Sequence, residues 1–193
     1  PESQKEIYYL IGETRAQLEN APCVEQIRAK GFNVLLLTDP VDEYMVEMLR
    51  EYDGKPLKAA DRGALDEKPS DEQTSAFKPL VEFLSKAIPA VKEVRLSTRL
   101  KESAAVLVAD DYGPSAHLER LLKRMGRVAD IGDSRRILEL NPEHALVKKL
   151  LDLKQTGSAD DQVEDLGLLL KDQATIAEGT RLEDPAGFAK RMN

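Results

Sequence analysis

The side chains that most often carry chemistry in proteins are present in this chain, but their spacing does not assemble a reactive site. The two histidines, His117 and His144, have no cysteine or histidine partner at the spacing of metal ligands. We therefore expect no metal, a solvated His117 and a turn-capping His144. Cys23 falls within a helical pattern, where a small buried hydrophobic residue is a more common role than a nucleophile. The carboxylates fall on helix faces, with no pocket implied for acid–base catalysis.

Nucleotide binding is the second chemistry that the sequence raises, because the chain opens with a β-α-β-α pattern. The turn after the first strand, residues 12–16, lacks the Gly-x-Gly-x-x-Gly pattern that brings backbone close to a pyrophosphate. The chain also lacks a Gly-x-x-x-x-Gly-Lys-Ser/Thr loop. A small nucleotide- or flavin-binding α/β protein stays an alternative, but we expect no cofactor and no enzyme activity in this chain.

Residues 30–57 form the stretch around which the first part of the chain is organised. The apolar run 32–37, bounded by Gly31 and Asp39-Pro40, predicts a strand buried on both faces. Asp39 suits an N-cap and Pro40 the first helical position, and Asp53-Gly54 is a typical helix end. Between them lies the apolar stripe of an amphipathic helix: Val41, Tyr44, Met45, Met48 and Leu49.

The predicted fold is α/β, with a small β-α-β-α unit followed by an α+β unit that has a three-stranded sheet and a helical end. The first unit covers 1–62 and begins with a strand over 7–11, which we expect to be parallel to the next strand. A helix broken at Pro22 follows that first strand. Residues 63–73 are the predicted linker, within a charged, aperiodic stretch from residue 58, and 74–193 the second unit. Its predicted strands cover 91–97, 104–109 and 136–140, and its helices 74–88, 115–125, 143–154, 162–178 and a last one from Asp184-Pro185.

The composition excludes several classes of function. The net charge of −7 leaves no excess of Lys and Arg to neutralise phosphates, which argues against nucleic-acid binding. The longest apolar runs fall well short of the roughly 20 residues needed to cross a bilayer. A single cysteine indicates a reducing compartment, and we expect the cytoplasm. The chain begins at Pro1, and we expect it to be a piece of a longer protein.

The helix predicted over 162–178 carries the strongest sign of self-association. Its main apolar stripe consists of Val163, Leu166, Leu170, Ala174 and Ala177. Leu168, Leu169 and Ile176 lie on other sides of the same helix, so one packing surface does not cover all of them. Either this is the central helix of a single domain, or a second copy of the chain packs against it.

Several segments resemble the heat-shock protein 90 chaperones, in the order in which that family has them. The segments are 35–45 (LLLTDPVDEYM) and 51–57 (EYDGKPL), Ile7-Tyr8-Tyr9 with Gly12-Glu13, 95–100 (RLSTRL), Tyr112-Gly113 with 117–123 (HLERLLK), 138–144 (LELNPEH), and Leu182 to Pro185 with Arg191-Met192. The short linker and the absence of an acidic tail favour the bacterial form, with the organelle forms as the alternative. Pro114 and Tyr44 depart from residues common in the family.

The resemblance implies a chaperone that protects and folds other proteins under stress, represented here by the distal part of its middle domain and its C-terminal dimerisation domain. ATP and Mg²⁺ would bind an N-terminal domain outside this sequence. The implied partners are a second copy, non-native client proteins and cochaperones. Implied client-binding residues are Glu43, Tyr44, Glu47, Leu118, Leu121, Leu122 and Met125. Implied dimerisation residues are Val163, Leu166, Leu169, Leu170, Ala174, Ala177, Phe188 and Met192.

Two alternatives stay open at this point. The stripe from Leu118 to Met125, like Tyr44, is either packed in the core or offered to partners, since apolar stripes usually face a core. The chain as a whole is either a client-binding chaperone segment or a dimerisation module without a client role.

Overall fold

The computed structural model describes residues 1–63, 67–131, 134–157 and 160–193, and it confirms the α/β class. The first unit contains a four-stranded sheet of order β2-β1-β4-β3, in which β1 is parallel to both β2 and β4 and β3 is antiparallel to β4. Its elements are β1 (Ile7–Ile11), α1 (Arg15–Glu19), α2 (Glu25–Ala29), β2 (Val34–Leu37), α3 (Asp42–Met48), β3 (Glu51–Tyr52) and β4 (Lys55–Ala59). The predicted parallel pairing of the first two strands is confirmed.

The second unit contains a three-stranded sheet, as predicted, with order β5-β7-β6. Strand β5 is parallel to β7, and β6 is antiparallel to it. Its elements are α4 (Asp71–Ala87), β5 (Glu93–Leu96), β6 (Ala105–Val108), α5 (Ala116–Arg124), β7 (Ile137–Leu140), α6 (Ala145–Gln155), α7 (Asp160–Ala177) and α8 (Pro185–Met192). Helix α4 begins three residues before its predicted start, because Ser70 and Gln73 form a capping box.

Strand β2 is not buried on both faces, which corrects the prediction for the run 32–37. It lies at the edge of its sheet, and the Leu35 side chain is 47% exposed. A continuous apolar run therefore did not distinguish an edge strand from a central one.

The segment after α3 also differs from the prediction. Helix α3 ends at Met48, and Asp53-Gly54 is the turn of a β-hairpin between β3 and β4 rather than a helix end. Asp53 and Gly54 have φ angles of 51° and 70°, as a two-residue type I′ turn requires. Asp-Gly is typical of that turn as well as of helix ends, and here it forms the hairpin turn.

The residues at the start of the predicted linker are bonded to the second unit. Asp61 and Gly63 bond through their backbones to Ala109, directly after β6. Residues 64–66 of the predicted linker lie outside the described residues. The division into domains at 62 and 74 stays a prediction.

The two sheets share apolar packing. One buried cluster combines Tyr8, Leu10 and Ile27 of the first unit with Val106 and Ile137 of the second. Cys23 belongs to this cluster, and burial raises the pKa of its thiol, so it is the small buried hydrophobic residue that the sequence predicted. The largest cluster lies within the second unit, between its sheet and helices α4, α6 and α7.

A buried ionic network reinforces this junction. The Arg99 side chain is 1% exposed, and its Nε donates to Glu139 Oε2 at 2.7 Å. Its other guanidinium nitrogens donate to the carbonyl oxygens of Ala60 and Gly63, at the end of the first unit. The Glu139 carboxylate thus orients an arginine that binds the backbone leading from one unit to the next.

Candidate functional site

Helix α3 presents most of its apolar stripe to solvent. We call Val41, Tyr44, Met48 and Leu49 the α3 face; Tyr44 is 60% exposed and Met48 86% exposed. The helix rests on its sheet instead through Val46, which packs with Tyr9, Ile11 and Ala59, and through the half-buried Met45. Of the two alternatives left open for Tyr44, core packing is therefore wrong, and most of the stripe is an exposed apolar surface.

Polar side chains of helix α5 bind three other segments of the molecule. Glu119 Oε2 accepts a bond from Arg136 Nη2 at 3.0 Å, and Arg120 Nη1 donates to Thr180 Oγ1 at 3.2 Å. At the end of the helix, Arg124 Nη2 lies 3.2 Å from Glu13 Oε1. These contacts tie α5 to the start of β7, to the segment after α7 and to the turn after β1.

The apolar stripe of α5 is neither core nor fully exposed. Leu118, Leu121 and Leu122 are half-buried, and Met125 is exposed. The buried apolar clusters found among the described residues do not include these three leucines. We call the four residues the α5 stripe. Because they are only partly buried, they have apolar area available to a partner.

A buried contact joins α3 to the first turn of α5. The Glu43 side chain accepts a hydrogen bond from Ser115 Oγ at 2.6 Å, and His117 Nδ1 lies 3.0 Å from the same carboxylate oxygen. The expectation of a solvated His117 is therefore wrong, and Glu43, which the family resemblance implied as a client-binding residue, is buried. The spacing gave one usable signal, because Glu43 lies three residues before the buried Val46 and so on the same side of α3.

The predicted dimerisation residues divide into two groups. Val163, Leu170 and Ala174 belong to the main buried cluster of this chain, so they offer no surface to a second copy. Gly167 lies on the same side, and a Cβ there would come within 2.5 Å of Leu84 Cδ2, which shows how closely α7 and α4 approach. The other group is half-buried or exposed: Leu166, Leu169, Ala177, Phe188 and Met192, to which the structure adds Ile176, 51% exposed.

Two half-buried carboxylates, Asp61 and Glu178, lie where the two units meet. Burial raises the pKa of Asp61 and of Glu178, even though Arg136 acts in the opposite direction on both. These two carboxylates and Cys23 line a cavity of about 40 Å³. Nucleotide and cofactor pockets are typically about ten times larger.

The turn after β1 offers no phosphate cradle. A Cβ at Gly12 would come within 2.6 Å of Leu18, so this glycine allows close packing of α1 on the strand. Thr14 caps a helix of five residues. His144 has the capping role predicted for it, since its Nδ1 accepts from the backbone N–H of Leu146 at 3.1 Å.

The described residues contain neither a cluster of metal ligands nor a helix that could span a membrane. Within residues 1–63, 67–131, 134–157 and 160–193, no three His, Cys, Asp or Glu side chains form a group that could hold a metal ion. In those same ranges, no helix has the length and apolar content that crossing a membrane requires.

Comparison with known proteins gives the same family across the whole chain. The family model described as Hsp90 protein matches residues 1–193. The chain is 43% identical over 201 residues to the chaperone protein HtpG of Geobacter metallireducens, and 46% identical over 202 residues to that of Chromobacterium violaceum. HtpG of Burkholderia cenocepacia is 47% identical over 199 residues.

These alignments cover 98%, 100% and 98% of this chain, but only 31%, 31% and 30% of the three relatives. The chain therefore spans about a third of the length of the curated relatives that it matches. The order of the sequence segments, the family match and the identities agree, and the chain is an HtpG-like member of the Hsp90 chaperone family.

Proposed function

We propose that this chain is the C-terminal part of an ATP-dependent chaperone, where it binds non-native proteins and joins two copies of the molecule. The ATP chemistry belongs to a part of the protein outside these 193 residues. The partners are client proteins, a second copy and cochaperones, and the compartment is the cytoplasm, in keeping with a single reduced cysteine.

The observation that carries the client-binding proposal is the exposure of the α3 face. Non-native proteins have exposed apolar groups in common and little else, so a tolerant binder needs adaptable apolar side chains with charges around them. Tyr44 and Met48 supply the apolar part, and Glu47 on the same helix is exposed. The α5 stripe adds four more apolar side chains. We expect weak binding, because a disordered client loses conformational entropy when it docks.

The test is the affinity of the chain for a permanently unfolded protein, measured by fluorescence anisotropy. Tyr44→Ala and Leu121→Ser should each weaken binding about fivefold or more, because each removes roughly 1 kcal/mol or more of apolar contact. Tyr112→Ala is the matched control, since Tyr112 is fully exposed and lies on neither surface. Tyr44→Ala should leave the melting temperature unchanged.

Equal affinities for the Tyr44→Ala and Tyr112→Ala variants would contradict client binding at the α3 face. If the unmodified chain associates with itself but does not bind the unfolded protein, the alternative of a dimerisation module without a client role is correct.

The dimerisation proposal rests on the outer sides of the last two helices. Leu169 and Ile176 lie two turns apart on one side of α7, and Phe188 and Met192 lie one turn apart on α8. Helix α8 has no buried residue, so its apolar side chains keep area that the described residues do not cover. Two copies of this helix pair would form a four-helix bundle around a two-fold axis, and a standard interface would bury about 1,600 Å².

Sedimentation equilibrium tests this interface with two charge insertions on the same helix. Ile176→Asp should produce a folded monomer, because the exposed Ile176 contributes to the interface and not to the core. Leu170→Asp should instead unfold the second unit, since Leu170 is 1% exposed. An unmodified chain that is monomeric at high micromolar concentration would overturn the proposal.

The location of the ATP site is tested by thermal unfolding. Saturating ATP with Mg²⁺ should leave the melting temperature of this chain unchanged, since a ligand that does not bind the native state does not stabilise it. A concentration-dependent rise of several degrees would show a nucleotide site in this chain.

A further inference from the structure

Glu43 is a carboxylate on a helix of the first unit that is buried against the second. Its residue is 4% exposed, and Ser115 and His117, which contact it, are also buried. Ser115 Oγ lies 2.6 Å and His117 Nδ1 3.0 Å from the Glu43 Oε1 atom. With the proton on Nδ1, His117 donates to the same oxygen. A side chain so enclosed offers no charge to a partner that approaches from solvent.

The hydroxyl of Ser115 has two functions at this point. It accepts a hydrogen bond from the backbone N–H of Leu118 at 2.9 Å, which caps the N-terminus of α5. It also donates to Glu43, so its donor and one of its acceptor sites are both used. The place where α5 begins is thereby fixed relative to α3.

The other attachments of α5 described above are bonds of Glu119, at the end of the first turn, and of Arg120 and Arg124 beyond it. The start of the helix is held by Ser115 and His117, by the buried Ala116, and by Arg136 Nη1, which donates to the Pro114 carbonyl oxygen at 2.9 Å. The three leucines of the α5 stripe lie outside the buried clusters, so the apolar packing of this turn rests on Ala116. Removal of the Glu43 acceptor should therefore loosen the start of α5 and leave the rest of the helix attached.

We propose that Glu43 is a positioning residue, which holds the α3 face and the α5 stripe in one relative orientation so that a non-native polypeptide binds both. This inference rests on the proposed client-binding function. Glu43 acts through Ser115 and His117 and does not touch the client.

The experiment compares Glu43→Ala with Glu43→Gln in the anisotropy assay with the permanently unfolded protein. Glutamine keeps an oxygen that accepts from Ser115 and His117, whereas alanine removes it. Positioning predicts that Glu43→Ala weakens binding fivefold or more and that Glu43→Gln stays within about twofold of the unmodified chain. Direct charge contact with the client predicts that both variants weaken binding equally, and that result would overturn the proposal.

Hydrogen exchange without client gives the second measurement. The backbone amides of residues 116–119 should exchange faster in Glu43→Ala and unchanged in Glu43→Gln. Glu51→Gln, which removes an exposed carboxylate from β3, should change neither exchange nor binding. If Glu43→Ala does not fold, His117→Leu and His117→Asn form a replacement pair, because asparagine keeps a donor near the position of Nδ1 and leucine does not.

The two proposals fail in different ways. Unchanged binding in Tyr44→Ala would show that the α3 face is not the client surface, whatever Glu43 does. Weaker binding in Tyr44→Ala together with normal binding in Glu43→Ala would keep the surface and overturn the positioning role.

Discussion

Removal of the Glu139 carboxylate should destabilise the junction between the two units more than removal of any exposed charge. Glu139 is buried and accepts hydrogen bonds from Arg95, Ser97 and Arg99. Glu139→Ala would leave the Arg99 guanidinium buried without its counter-charge. Removal of one partner from a buried ion pair costs about 3–5 kcal/mol.

Urea denaturation followed by circular dichroism measures this cost. Domains have about 5–15 kcal/mol of stability, so the loss is a large part of the total. With an m-value of about 2 kcal/mol/M, the unfolding midpoint should fall by about 2 M.

Glu93→Ala is the matched control, because Glu93 pairs with the same Arg95 at 3.3 Å but its side chain is 50% exposed. A surface pair of this kind contributes about 0–1 kcal/mol. Arg99→Met in the Glu139→Ala background should recover part of the loss, since it removes the unpaired charge. If Glu139→Ala costs no more than Glu93→Ala, the buried network does not hold the junction as described.

Two further predictions concern single contacts. Burial alone would raise the pKa of Glu25, but bonds from the Ser103 hydroxyl and from the backbone N–H groups of residues 101–103 outweigh it and lower that pKa. Glu25→Ala should therefore cost its full amount of stability above about pH 4.5, the ordinary pKa of a glutamate. Below that pH the cost should shrink, because the wild-type carboxylate becomes protonated. A difference in urea midpoints that does not change with pH would contradict this. In Gly167→Ala the added Cβ would collide with Leu84, which should cost about 1–3 kcal/mol of stability, while the better helix propensity of alanine returns about 1 kcal/mol. We therefore expect a net loss of stability. A higher melting temperature of the variant would refute the close approach of α7 and α4.

The sequence predicted the order of most elements because periodicity and capping residues are local signals. The strands predicted at 7–11 and 32–37 and the helix start at Asp184-Pro185 all depend on neighbours within a few positions. It did not predict the hairpin at Asp53-Gly54, because Asp-Gly also ends helices and the choice depends on whether β4 finds a partner in β1.

Candidate surfaces were harder to predict than elements, since a stripe shows that a helix is amphipathic but not which side is covered. On α3 the stripe faces solvent, and on α7 the stripe containing Leu170 faces the core. The Glu43–His117 contact joins residues 74 positions apart, and no local pattern predicts a contact at that separation. The predictions thus failed where contacts between the units, and not local preference, determine which residues are exposed.

The most direct test of client binding is hydrogen exchange of this chain, measured with and without a bound, permanently unfolded protein. Client binding at the α3 face and the α5 stripe predicts slower exchange in the bound state over residues 41–49 and 116–125, with the core strand at 137–140 unchanged. Protection confined to the outer sides of α7 and α8, or no protection at all at saturating client, would contradict client binding at the α3 face and the α5 stripe.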